Sequence, residues 1–131
     1  MANPNIVNVT AIYGKTLYLT PSGTTAVVLL PNPSSSGKVL KVNSLVVSNV
    51  DGTNAVDCTV SYYTDGDVAS GSAPSGGTAY PIASTISVPA DASLIVIDKS
   101  TGIYLEEDRS ITVTSGTASK LTYVISYEEI N

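Results

Sequence analysis

Alternation with a period of two is the feature that most limits what this chain can fold into. Near the C-terminus, Leu121, Tyr123, Ile125 and Tyr127 share one face, Thr122, Ser126 and Glu128 share the other, and Val124 is the exception. Successive side chains of an extended backbone point to opposite faces, so this pattern reads as a strand with one buried face. It recurs along the chain. Ile111 and Val113 alternate with Ser110, Thr112 and Thr114; Val56, Cys58, Val60 and Tyr62 alternate with Asp57, Thr59 and Ser61. Ile82, Ile86 and Val88 line up with Ser84 on a face opposite Thr85 and Ser87. No segment sustains the 3.6-residue spacing of an amphipathic helix.

Two runs depart from the alternation. Leu94, Ile95, Val96 and Ile97 are continuously apolar, as in a strand covered on both faces. Between Lys38 and Val50 the apolar phase changes, with Leu40 and Val42 even-numbered and Leu45 and Val47 odd-numbered. That slip predicts a β-bulge near Asn43 and Ser44. Further strand candidates are residues 6–12, 15–20, 24–30 and 103–106. Turn pairs such as Asp51-Gly52, Thr101-Gly102 and Ser115-Gly116 separate the segments, and prolines fall at their edges. The expectation is an all-β chain, an antiparallel β-sandwich of jelly-roll or Ig-like type with roughly eight to ten short strands. It would be one domain over residues 1–131, with residues 1–8 an extended N-terminal arm. A chain of 131 residues can bury about two-thirds of its unfolded surface, so it needs no disulfide or metal to hold a core.

Charged residues make up 13% of the chain, about half the usual share, and the net charge is −5. With no basic stripe, direct nucleic-acid binding is not expected, and Lys38 and Lys41 read as a solvated strand face. The longest apolar stretch, residues 26–31, is too short to cross a bilayer. Residues 1–5 carry neither a basic region nor a long apolar run, so no signal peptide is expected. The lone Cys58 cannot form an intrachain disulfide, which fits assembly in a cytoplasm.

Candidate chemistry is sparse. There is no histidine, so neither a Ser-His-Asp arrangement nor a usual zinc site can form. Cys58 lies in phase with Val56 and Val60 and reads as an inert core thiol. Glu106, Glu107 and Asp108, with Asp98 upstream, could supply a glycosidase carboxylate pair or calcium ligands. The favoured reading is a charged turn between two strands. Asp65-Gly66-Asp67 hints at calcium but lacks the other ligands of an EF-hand loop. Gly71, Gly76 and Gly77 lie in a Ser-rich tip with no following helix, unlike a phosphate loop. Most of the eight tyrosines, Tyr62, Tyr123 and Tyr127 among them, read as core fillers or interface anchors. No catalytic, cofactor-binding or metal-binding residue is expected.

The opening MANPNIVNVT, the run ISVPADASLIVIDKST at residues 86–101 followed by IYLEED at 103–108, and the closing SYEEI at 126–130 resemble a group of small virion structural proteins of tailed phages, especially marine cyanophages. The likeness covers both ends and the C-terminal half; residues 64–78 have no match in it. It implies a role in the virion and no active site. The role foremost is capsid decoration or cement, with a neck, tail or fibre-attachment component as the alternative. A host-surface or carbohydrate-binding module is a third reading. The partners implied are the major capsid protein or other virion proteins, with a homo-oligomer, a trimer favoured, assembled in the host bacterial cytoplasm. Interface residues are expected on the arm, at Asn3, Pro4, Asn5 and Ile6. They are also expected on the polar loop 64–78, at Asp65, Asp67, Ser72 and Pro74.

Overall fold

A computed structural model describes residues 4–131. Nine strands are present among them: β1 (Ile12–Leu19), β2 (Val27–Asn32), β3 (Val39–Asn49), β4 (Val56–Tyr63), β5 (Ala79–Val88), β6 (Ser93–Ile97), β7 (Ile103–Leu105), β8 (Arg109–Ser115) and β9 (Leu121–Ile130). One sheet runs β1-β9-β3-β6, with β7 also paired to β3; the other runs β2-β8-β4-β5. All the pairings are antiparallel. Among the described residues no helix is long and apolar enough to cross a membrane.

The pairings are nested. β1 pairs with β9, β2 with β8, β3 with β6 and β7, and β4 with β5. This is one long hairpin whose successive rungs alternate between the two sheets. The β3–β9 and β4–β8 pairings roll it up. The result is the jelly roll of the two expected sandwich types.

Alternation explains the core. Leu40, Val42, Leu45 and Val47 of β3 and Leu121, Tyr123 and Ile125 of β9 face Val56, Cys58 and Val60 of β4 and Ile111 and Val113 of β8. All of these are buried. The phase slip in β3 is a register shift between Val42 and Ser44, where the sequence predicts a bulge. Two buried asparagines fasten the ends of the roll. Asn32 Nδ2 donates to the carbonyls of Lys38 and Leu105, both at 3.0 Å, and Asn49 Nδ2 donates to those of Asn54 and Val88 at 3.0 and 2.9 Å.

Three strand expectations change. The apolar run 94–97 is not covered on both faces. Leu94 pairs with Val47 and Ile97 with Leu45, both toward the core, while Ile95 pairs with Val46 and is 64% exposed. The run is continuous because β6 slips register between them, with Val96 as the extra residue. In β5 the expected face also breaks. Cys58 pairs with Ile86 but Val60 pairs with Ala83, so Ser84 and Thr85 bulge out and Thr85 takes a positive φ of 51°. Ala83 thus packs on the core and Ile82 is exposed. Finally, residues 6–11 form no strand; β1 begins at Ile12 and runs through Gly14.

Candidate functional site

The expected interface residues divide into two groups. Asn3 lies outside the described residues. Asn5 and Ile6 belong to a turn, with Pro4 just before it: Asn8 N donates to Asn5 O at 3.0 Å and Val7 N to Asn5 Oδ1 at 3.0 Å. Pro4 and Ile6 line a shallow depression with Val39, Tyr104 and Glu106 at one end of the first sheet's outer face. Ile6 and Val7 remain exposed.

Loop 64–78 does not project. It straps back across the second sheet. Gly71 N donates to Val28 O at 2.7 Å, Val28 N donates to Ser72 O at 2.9 Å, and Ser70 Oγ donates to Leu29 O at 2.8 Å. The strap therefore occupies the outer edge of β2. At its start the Asp67 carboxylate accepts from Ser34 N at 2.8 Å and Ser34 Oγ at 2.9 Å. Asp65 O accepts from Ser110 Oγ at 2.8 Å. Ser72 is thus held by its backbone, and Asp65 and Asp67 bond within the chain.

The two acidic hints meet in space. Carboxylate oxygens of Asp65, Asp67 and Asp108 lie within 4.8 Å of one another. Each is already engaged: Asp108 accepts from Gly66 N at 3.1 Å, Asp65 from Asp67 N at 2.9 Å, and Asp67 from Ser34. Glu106, Glu107 and Asp108 form the turn between β7 and β8, with Glu107 buried and Asp108 in the left-handed region at φ 59°. Asp98 does not join them. It caps the short 3-10 turn Lys99–Thr101, accepting from Ser100 Oγ at 2.6 Å and Ser100 N at 2.9 Å, and these bonds hold its carboxyl below the usual range.

The cysteine and tyrosines sort by burial. Cys58 is fully buried, and burial pushes its thiol up to about 11, so it is protonated at neutral pH. Tyr123 is fully buried; its hydroxyl donates to Thr114 O at 3.0 Å and lies 3.3 Å from Ser115 Oγ, and burial raises it well above the usual phenol range. Tyr62 and Tyr127 pack against the core half-buried, and Tyr63, not singled out by phase, is buried with its hydroxyl accepting from Gly77 N. Tyr13, Tyr18, Tyr80 and Tyr104 are exposed.

The feature that sequence reading missed is on the outer face of the first sheet. Tyr18 pairs with Val124, Val124 with Val46, and Val46 with Ile95, making one apolar row across β1, β9, β3 and β6. Tyr18 is 75% exposed and Val124 37%. Hydroxyl pairs flank the row: Thr16 with Ser126 at 3.1 Å, Thr20 with Thr122 at 2.9 Å, and Ser48 with Ser93 at 3.1 Å. Such pairs spend hydrogen-bonding capacity on each other and leave a weakly hydrated, uncharged surface. The signals existed in the sequence, since Val124 is the exception in β9 and Ile95 sits inside an unbroken apolar run. Compared with known proteins, the chain matches no protein-family model and no curated protein.

Proposed function

We propose that this chain is a non-enzymatic structural component of a tailed-phage virion, a decoration or cement protein that stabilises the head by packing against the major capsid protein. The observation that carries the docking part of this reading is the Tyr18-Val124-Val46-Ile95 row, an apolar stripe four strands wide, flanked by hydroxyl side chains and separated by a row from the opposed charges Lys41 and Glu128. An uncovered apolar row costs solvation, and burying it against a partner recovers roughly 25 cal/mol per Å². The jelly roll is compatible with this role, being used in viral capsids, though it also serves lectins and cupins, so fold alone does not select it. The virion context comes from the resemblance in residues 1–10, 86–108 and 126–130.

The experiment is the copy number of the chain in purified virions, by quantitative mass spectrometry against the major capsid protein. A ratio of one per capsid subunit, or one per few, supports decoration. A number fitting one small ring or a few fibres moves the chain to the neck or tail. Absence from virions overturns the proposal.

A further inference from the structure

The two sheets have free edges, and three of the four are protected. The strap of residues 70–72 occupies the edge of β2. On the edge of β5, Pro81 removes a donor, while Thr85 at φ 51° and two register shifts bend the strand. β6 and β7 are short and share one side of β3, interrupted by the turn Lys99–Thr101. These are the usual devices against unwanted strand pairing.

β1 has none of them. Its register with β9 is unbroken from Ile12 to Leu19, it contains no proline, and its one charge, Lys15, is held by Glu129 at 3.0 Å. Ala11 and Asn131 exchange both backbone bonds, at 3.2 and 3.0 Å, which sets the alternation for the strand. Tyr13, Lys15, Leu17 and Leu19 therefore turn their backbone groups to β9. Ile12, Gly14, Thr16 and Tyr18 turn theirs outward, where no backbone partner meets them among the described residues.

We propose that this edge pairs with the β1 edge of a second copy of the chain, antiparallel, about a two-fold axis at Thr16. In that register outward-facing residues meet outward-facing residues and the two sheets keep their faces. Gly14 falls opposite Tyr18 of the second copy, Tyr13 opposite Leu19, and Lys15 opposite Leu17. A Cβ at Gly14 would meet nothing within 4 Å, so there is an open slot beside it for the tyrosine ring, an arrangement known to favour edge glycines. No like charges are directly opposed, whereas a shift that moved the axis to Lys15 would set two lysines against each other. This complementarity of the edge to itself is the reason to name a second copy as the occupant. The pairing joins both Tyr18-Val124-Val46-Ile95 rows on one face of a sheet eight strands across, four from each copy. It closes at two chains, where the sequence reading favours three, and it stands apart from the virion assignment.

The test is the mass of the full chain in solution by sedimentation, with three variants. The unmodified chain should sediment at twice 13.4 kDa; a monomer or a trimer overturns the proposal. Thr16→Lys places like charges across the axis and should weaken the dimer at least about tenfold with an unchanged circular-dichroism spectrum. A dimer that survives this change uses another surface, and the proposal fails. Thr16→Cys should form a covalent dimer on mild oxidation, because the Cα atoms of a hydrogen-bonded antiparallel pair lie about 5.5 Å apart, within disulfide reach. Tyr18→Cys should not, since its counterpart would be about 14 Å away along the strand. Equal cross-linking of the two overturns the register. Cys58 is buried and does not compete.

Discussion

At Gly66 the chain has no room for a side chain. An added Cβ would meet the backbone nitrogen and oxygen of Arg109 at 2.7 Å, and the Asn32 carbonyl is closer still. These are backbone atoms of two strands, so nothing can rotate away. Gly66→Ala is expected to destabilise the fold by about 2 kcal/mol or more, read from the midpoint of urea unfolding. A change under about 0.5 kcal/mol would show that the strap shifts freely at that point. A second residue-scale expectation concerns Glu129, which is bridged to Lys15 at 3.0 Å and Lys38 at 2.9 Å. Burial raises its carboxyl, but the bonds and charges of Lys38 and Lys15 outweigh that and leave it below the ordinary range. A carboxyl depressed in the folded state contributes stability above its unfolded pKa, about 4.3, and that contribution is lost as pH falls through the folded value. Glu129→Gln should cost about 1 kcal/mol at pH 7, and the difference from the unmodified chain should shrink steadily below about pH 4. An equal difference at pH 7 and about pH 3 would show that the ion pairs are not its source.

At the scale of elements, the strap of residues 64–78 depends on its anchors. Asp67 accepts from both donors of Ser34, its N–H at 2.8 Å and its hydroxyl, which lies 2.9 and 3.0 Å from the two carboxylate oxygens. Asp67→Ala should loosen the strap and speed amide exchange at Val28, whose N–H is held by Ser72 O, at a cost of about 1–2 kcal/mol. Unchanged protection at Val28 would mean that Ser70 and Gly71 hold the strap alone. The strap also marks where sequence reading runs out. Alternation located β3, β4, β8 and β9 because each has one face on the core, and it placed the β3 bulge because the phase slip is visible in the residues. It misplaced the faces of β5 and β6. There, edge strands bulge, and a bulge mixes the two faces so that apolar residues at outer positions look like core. The loop looked like a projecting tip because its composition is polar and glycine-rich. Its anchors are backbone bonds to β2, which leave no pattern in side-chain type. The meeting of Asp65 and Asp67 with Asp108 was equally invisible, since a separation of about forty residues in sequence says nothing until β4 and β8 are known to be neighbours.

At the scale of the molecule, nesting decides how the chain must fold. Among the described residues, only β4 and β5 are both consecutive in sequence and paired; every other pairing there joins strands with others between them. The roll must therefore close long loops before most of its contacts can form, which places refolding in the millisecond-to-second range. It also makes β9 indispensable, because that strand lies between β1, from the start of the chain, and β3. Removing residues 126–131 takes away the partners of Ile12–Thr16 in β1 and of Val39–Ser44 in β3. Leu40 and Val42 would lose cover on the same sheet, and Lys15 and Lys38 would lose Glu129. The truncated chain is expected to show no cooperative urea transition, because the interrupted rung belongs to both the outermost pair and the pair that rolls the sheet. Stability residing instead in the β4–β5 hairpin and its neighbours would leave a sigmoidal transition with a smaller m-value, and that result would show that the two ends of the roll fold independently.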